Sequence, residues 1–213
     1  MDHDSATYSQ YGEDLILAKL FPDLNEHRNL IDVGAYEPEA MSNSRLFIER
    51  GWDATLIEFT PHPLRNLVKA YGDNPRVRVI GAALTVCDQG VQKFRLTDDA
   101  ISSADPNVEE RFKDMRPGYH GGFFGDLWVP TLSIGKLLDQ FYCDKPIHFV
   151  NIDTEGTSVD LAIDFMKLLG GWKPQVICVE HDNRLVELVG RGQEFGYRLH
   201  HANGCNAILE RKA

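Results

Sequence analysis

Features that mark membrane or exported proteins are missing from this sequence. No apolar run approaches the roughly 20 residues that a membrane-spanning helix needs. Residues 1–5 lack the charged-then-apolar pattern of a signal peptide. The four cysteines are scattered and form no C-x-x-C pair, which favours free thiols in a reducing compartment. We therefore expect a cytoplasmic protein with no membrane insertion.

Basic residues are also few. The 22 Lys and Arg residues face 32 Asp and Glu residues, for a net charge of −10. Because a broad nucleic-acid footprint needs clustered Lys and Arg, the composition disfavours nucleic acid as a partner. With 213 residues, 43% of them hydrophobic, the chain can bury a full core. We expect residues 1–213 to form a single domain.

Hydrophobic periodicity alternates between strand and helix along most of the chain. It predicts helices over 9–20, 42–49, 63–71, 131–141, 158–169 and 184–194. It predicts strands over 30–33, 53–58, 76–80, 91–96, 147–152, 175–179, 196–200 and 207–210. This alternation predicts an α/β fold with a mostly parallel sheet, helices on both faces and a closing antiparallel strand pair. The segment 97–129 shows no clear periodicity, so we interpret it as a substrate lid, with a disordered insertion as the alternative.

Acidic residues collect where predicted strands end. Asp32 lies in the first strand, Glu58 closes the second, and two later strand ends carry Asp153 with Glu155 and Glu180 with Asp182. Ligands of open parallel sheets bind beyond the carboxyl ends of the strands. A carboxylate at a strand end can also cap the next helix, but four such ends in one chain favour a site. Glu58 is placed to accept hydrogen bonds from both hydroxyls of a ribose.

The turn after the first strand discriminates between nucleoside cofactors. Dinucleotide sites use three glycines so that backbone amides can approach a pyrophosphate. Here Gly34 is the single glycine, and Glu37 and Glu39 follow it. These acids would repel a diphosphate but suit a phosphate-free, positively charged ligand. The pattern therefore favours S-adenosylmethionine over a nicotinamide dinucleotide.

Several short motifs, in order along nearly the whole chain, resemble the FkbM family of S-adenosylmethionine-dependent methyltransferases. They lie at 8–14, 31–38, 42–45, 51–52, 57–58, 129–132, 151–156 and 196–199, followed by Asn206. The resemblance implies a Rossmann-like class I methyltransferase fold, with a seven-stranded sheet whose last strand pair is antiparallel. It also implies O-methylation of a hydroxyl on a sugar, a glycan or a secondary metabolite.

In such a site, different residues would hold different parts of the donor. We expect Glu58 to bind the ribose, and Gly34, Ala35 and Tyr36 to form the turn near the methionine half. Asp32 would orient this turn or receive the donor's ammonium. Further expected donor contacts are Asn43 and Gln10 at the carboxylate or closing the pocket, and Ala83 and Leu84 at the adenine.

A sugar hydroxyl must lose its proton during methyl transfer, which requires a general base or a metal ion. We expect Asp153, Glu180 and His181 to be the catalytic residues, with His181 as a possible base. Alternatively, Asp153, Glu180 and Asp182 would hold Mg²⁺ or another divalent cation. Aromatic residues of the lid, Tyr119, Phe123, Phe124 and Trp128, would stack on the acceptor or pin the loop to the core.

Two alternatives to an O-methyltransferase stay open at this point. One is a non-catalytic S-adenosylmethionine-binding module, because no single residue is an unambiguous base. The other is a nucleic-acid methyltransferase, which the acidic composition disfavours.

Overall fold

The computed structural model describes residues 7–87, 89–97, 102–104, 110, 122–123, 125–143 and 145–212. Its α-helices are α1 (Glu13–Ala18), α2 (Arg45–Glu49), α3 (Pro61–Tyr71), α4 (Ile134–Phe141), α5 (Ser158–Lys167) and α6 (Leu185–Glu194). Its strands are β1 (Asn29–Val33), β2 (Asp53–Ile57), β3 (Val77–Ile80), β4 (Ala83–Thr85), β5 (Val91–Leu96), β6 (Gly125–Ser133), β7 (Phe149–Ile152), β8 (Val176–Glu180), β9 (Tyr197–Ala202) and β10 (Asn206–Arg211).

A seven-stranded sheet runs in the order β3-β2-β1-β7-β8-β10-β9. The first five strands in this order pair in parallel, and β10 is antiparallel to both β8 and β9. The order reverses between β1 and β7, which places a crevice at the carboxyl ends of these two strands. This topology is that of the class I methyltransferase fold, so the predicted fold class is confirmed.

Two apolar clusters cover the two faces of this sheet. On one face, Leu137, Leu161 and Leu188 of α4, α5 and α6 are fully buried in a cluster with β-strand residues. On the other face, Leu17, Phe47 and Leu67 of α1, α2 and α3 form a second cluster. Because both faces are covered, β1 is buried along its whole length, as expected for a central parallel strand.

A second, three-stranded sheet has the order β4-β6-β5. Strand β6 pairs in parallel with β4 and antiparallel with β5. The sequence predicted β5 but missed β4 and β6. Residues 125–129 of the segment predicted as a lid belong to β6, and most of residues 98–124 lie outside the described residues, so the lid stays a prediction. Proline at 130 hid this strand, although Leu127 and Val129 alternate with the more exposed Trp128.

Helix starts were the other error of the sequence analysis. Thr131 does not cap a helix but pairs with Ala83 within β6, and α4 begins at Ile134. Ser133 caps it by accepting a hydrogen bond from the backbone N–H of Lys136 at 3.3 Å. The first predicted helix shortens to α1, because residues 7–12 form turns around the carboxylate of Asp14. No helix in the described ranges is long and apolar enough to cross a membrane.

Candidate active site

A cavity of about 410 Å³ lies at the carboxyl ends of the central strands. The turn after β1, the loop after β2, strand β4, the loop after β7 and the N-terminal segment all contribute to its walls. The residues predicted to bind the donor all line it, namely Gln10, Asp32, Gly34, Ala35, Tyr36, Asn43, Glu58, Ala83 and Leu84. Asp153 and Glu180 line the same cavity.

Gly34 forms the floor where β1 meets the end of β7. Its φ of +75° lies in the left-handed region, and a Cβ there would lie 1.8 Å from the carbonyl oxygen of Asp153. The Gly34 N–H donates to the oxygen of Ile57 at 2.9 Å, and the Asp153 N–H donates to the oxygen of Val33 at 2.9 Å. Only glycine fits this crossing, and its small size brings the two strand ends into direct contact.

Glu58 is a buried carboxylate whose direction is set by backbone amides. Its Oε1 accepts hydrogen bonds from the N–H groups of Phe59 at 2.7 Å and Thr60 at 2.6 Å. Its Oε2 accepts one from the N–H of Tyr36 at 3.1 Å, across the turn after β1. Burial raises the pKa of Glu58, and these hydrogen bonds oppose that shift. The carboxylate is thus held at the cavity wall without a basic partner among these contacts.

Asn151 links two of the predicted donor residues and was missed by the sequence analysis. Its Nδ2 donates to Asp32 Oδ1 at 2.8 Å, and its Oδ1 accepts from Asn43 Nδ2 at 3.0 Å. Burial raises the pKa of Asp32, while hydrogen bonds from Ser44 and Asn151 oppose that shift. The signal for Asn151 was its position two residues before Asp153, which puts both side chains on the same face of β7.

Three carboxylates gather at one side of the cavity. Asp153, Glu155 and Glu180 each place an oxygen within 4.8 Å of the others. Asp153 is exposed to the cavity, whereas Glu180 is half-buried and its Oε2 has no hydrogen-bond partner among the described residues. Burial raises the pKa of both Asp153 and Glu180, and neighbouring negative charges raise it further. Of the two, Glu180 is the carboxyl group that binds its proton more tightly.

Two residues of the predicted catalytic and metal sets lie elsewhere. His181 is buried and does not line the cavity; its Nε2 lies 3.2 Å from the carbonyl oxygen of Asn203. Asp182 also lies outside the cavity lining, and its Oδ2 accepts a hydrogen bond from the N–H of Gly156. Successive side chains of an extended chain point to opposite sides, so Glu180 and His181 cannot both face the site. Glu155 takes the place in the carboxylate group that Asp182 was expected to fill.

The small sheet builds the wall beside Ala83 and Leu84. Phe94 of β5 packs on Phe59 with ring centroids 4.3 Å apart, and both line the cavity. Trp128, expected to stack on the acceptor, instead lies on the outer side of β6 and is 67% exposed. Phe123 is half-buried but is not among the described lining residues, and Tyr119 and Phe124 lie outside the described residues.

The charged side chains that line the cavity in the described residues are all acidic. Its described lining residues include six carboxylates and no Lys or Arg, the acids being Asp32, Glu58, Asp153, Glu155, Asp160 and Glu180. Low-dielectric walls concentrate the field of such groups inside a cleft. The cavity therefore attracts a positively charged ligand and disfavours phosphates.

Comparisons with known proteins give a distant likeness. No family model matches the chain, and no curated protein matches it. Among solved structures, the chain is similar to the crystal structure of methyltransferase FkbM from Methylobacillus flagellatus KT, at 14% sequence identity and a TM-score of 0.47. The match covers 86% of this chain and 43% of that protein, so the chain spans less than half of its length.

Proposed function

We propose that this chain is an S-adenosylmethionine-dependent O-methyltransferase of the FkbM type, acting on a hydroxyl of a sugar, a glycan or a secondary metabolite. The observation that carries the proposal is the cavity at the β1–β7 switch point, where the described lining combines six carboxylates with no basic residue. S-adenosylmethionine is a nucleoside without phosphate and bears a sulfonium and an ammonium. Such a ligand matches this charge, whereas dinucleotides and nucleic-acid backbones oppose it.

The donor residues fit the parts of this ligand. Glu58 faces the cavity from the end of β2, where its carboxylate can accept hydrogen bonds from the ribose diol. Phe59 and Phe94, with Ala83 and Leu84, supply an apolar wall for the adenine. Gly34 lines the cavity in the turn after β1, where the backbone would approach the methionine half.

Methyl transfer is an in-line displacement in which the acceptor oxygen attacks the methyl carbon and the sulfur leaves with its electron pair. Alignment of oxygen, carbon and sulfur can contribute about 7–11 kcal/mol to lowering the barrier. The acceptor oxygen also loses a proton. We assign its removal to Asp153, which is exposed to the cavity and whose pKa is raised to about 6, a value suited to a general base near neutral pH.

A divalent cation is the alternative to a carboxylate base. Three carboxylate oxygens within 4.8 Å suit a hard cation, and Asp153, Glu155 and Glu180 would hold it. When bound, it would polarise the acceptor oxygen and neutralise the crowded negative charge. Asp182 would not belong to this set, because its carboxylate is engaged with the backbone of Gly156.

Donor binding tests the first part of the proposal. Calorimetry should show that Glu58→Ala weakens S-adenosylhomocysteine binding at least about tenfold, because each hydrogen bond to a charged group contributes about 1.5–3 kcal/mol. A dideoxy analogue that lacks both ribose hydroxyls should bind the wild type and Glu58→Ala with similar affinity. Unchanged S-adenosylhomocysteine binding in Glu58→Ala would rule out the ribose assignment.

Glu37→Ala is the matched control for this experiment. Glu37 follows the same turn, but its carboxylate accepts from Asn66 Nδ2 at 3.0 Å and it does not line the cavity. Its removal should leave both affinities unchanged. A loss of binding in Glu37→Ala equal to that in Glu58→Ala would show that the turn, rather than the ribose contact, is being measured.

Turnover with a library of hydroxyl acceptors separates the enzyme from a binding module. We expect methyl transfer that Asp153→Asn abolishes and that a chelator leaves unchanged. Loss of turnover with chelator and its restoration by Mg²⁺ would replace the base with the metal alternative. Tight donor binding with no product in either condition would support the non-catalytic module.

A further inference from the structure

A chain of hydrogen bonds beneath the cavity fixes the orientation of one side-chain amide. Asp32, Asn151 and Cys178 lie at the same level of neighbouring strands β1, β7 and β8. Asn151 donates to Asp32, Asn43 donates to Asn151, and the Asn43 Nδ2 also lies 3.9 Å from Cys178 Sγ. All four side chains are more than nine-tenths buried.

This chain allows only one direction for the Asn43 amide. The Asp32 carboxylate accepts hydrogen bonds, so Asn151 must turn its NH₂ group toward it and its oxygen toward Asn43. Asn43 must then turn its own NH₂ group toward Asn151. Exchanging the oxygen and nitrogen of either amide would set donor against donor or acceptor against acceptor.

As a consequence, the buried side-chain oxygen of Asn43 is an acceptor without a donor. Asn43 Oδ1 has no hydrogen-bond partner in the part of the chain that the structure describes. Asn43 also lines the cavity, as Gly34 does. A buried, unsatisfied carbonyl is costly, and a ligand group that donates to it binds more tightly.

We propose that Asn151 is a positioning residue that locks the Asn43 oxygen toward the methionine half of the donor, where it accepts a hydrogen bond from the donor's ammonium. The sequence analysis assigned Asn43 to the donor's carboxylate or to pocket closure. The fixed direction of the amide instead presents an oxygen, which can accept a hydrogen bond from an ammonium but not from a carboxylate. An ammonium only donates hydrogen bonds and a carboxylate only accepts them. This inference rests on the proposed function, because it requires an S-adenosylmethionine site.

Three ligands isolate this contact. S-adenosylhomocysteine carries the ammonium and the carboxylate, its analogue without the α-amino group carries only the carboxylate, and methylthioadenosine carries neither. Affinities for all three are measured by calorimetry on the wild type, Asn43→Leu and Asn151→Leu, which keep the branched shape of the side chain and remove the amide. Each comparison is made within one folded variant, so a general loss of stability affects the three ligands alike.

We expect both variants to weaken S-adenosylhomocysteine binding about tenfold and to leave methylthioadenosine and the deaminated analogue within about twofold. Equal losses for S-adenosylhomocysteine and the deaminated analogue would overturn the inference in favour of a carboxylate contact. Equal losses for all three ligands would overturn it in favour of a purely structural role. If either leucine variant fails to fold, Asn43→Ser and Asn151→Ser replace it with the same expectations.

The wild-type measurements keep this inference separate from the proposed function. If the wild type binds neither S-adenosylhomocysteine nor methylthioadenosine, the donor pocket itself is wrong and the inference falls with it. If the wild type binds both and the variants do not separate the three ligands, only the amide assignment is wrong.

Discussion

Glu180 shows, at the level of one residue, how crowded carboxyl groups in the cavity lower stability. Its pKa in the folded protein is raised by burial and by the charge of Asp153. A carboxyl group whose folded pKa lies above its unfolded value of about 4.3 binds its proton more tightly when folded. The free energy of unfolding therefore falls as pH rises from the pKa of Glu180 in the unfolded chain toward its pKa in the folded protein. At neutral pH, Glu180 thus destabilises the folded protein.

We predict that Glu180→Gln stabilises the protein at pH above neutrality by about 1–3 kcal/mol, because the amide keeps a donor for Asp153 without a titratable charge. The gain should shrink as pH approaches about 4, where Glu180 is protonated in both states. Thermal unfolding across this pH range checks the prediction, with the exposed Glu194→Gln as a control. A stability gain that grows toward acidic pH would mean that the pKa of Glu180 is lowered on folding, and would contradict the prediction.

At this scale, sequence reasoning located residues better than side-chain directions. Asp32, Gly34 and Glu58 could be placed because each follows a strong strand signal, and the carboxyl ends of parallel strands meet at one edge. His181 was misplaced because one residue of register decides which side of an extended chain it faces. Asn151 was missed because its role depends on Asp32 and Asn43, which are distant in sequence.

At the scale of elements, the N-terminal segment is part of the site through a buried clamp. Glu13 of α1 is fully buried and accepts hydrogen bonds from Asn203 Nδ2 at 2.9 Å and Asn206 Nδ2 at 2.7 Å. Burial raises the pKa of Glu13, but these hydrogen bonds outweigh it and the net pKa is lowered. The clamp ties the segment to the β9–β10 turn and so holds Gln10 and Tyr11 at the cavity.

The small sheet is the element that sequence reasoning explained least. Strand β4 has three residues, too few for a period to show, and β6 contains a proline that a strand pattern usually excludes. Strand β6 pairs with β4 and with β5, and pairing between distant segments cannot be read from local periodicity. The central sheet was predictable because β1, β2, β7 and β8 are largely buried, mostly apolar runs.

At the scale of the whole molecule, charge distinguishes the donor from its product. The chain carries a net charge of −10, and the described cavity lining adds carboxylates without basic residues. S-adenosylmethionine has a net positive charge, whereas S-adenosylhomocysteine has lost the sulfonium and is neutral overall. On the proposed function, the field of the protein therefore favours the substrate form over the product form.

This difference predicts a salt effect. Raising ionic strength from about 0.05 M to 0.5 M shortens the screening length to a few ångströms. The affinity for S-adenosylmethionine should fall about threefold more than the affinity for S-adenosylhomocysteine. Titration calorimetry at matched salt concentrations measures both. Identical salt dependence of the two ligands would mean that the cavity field does not act on the sulfonium.

The contact between Gly34 and the carbonyl of Asp153 bears on how accurately the two reactants would be positioned. In the floor of the cavity, Gly34 and the Asp153 carbonyl are in direct contact. This contact sets the distance between the turn that would approach the donor and the strand end that carries the proposed base. Neither strand end can move closer to the other, because no free volume separates them. On the proposed function, the main chain thus fixes the distance from the donor's sulfur to the acceptor oxygen. The side chains then need only determine which acceptor binds.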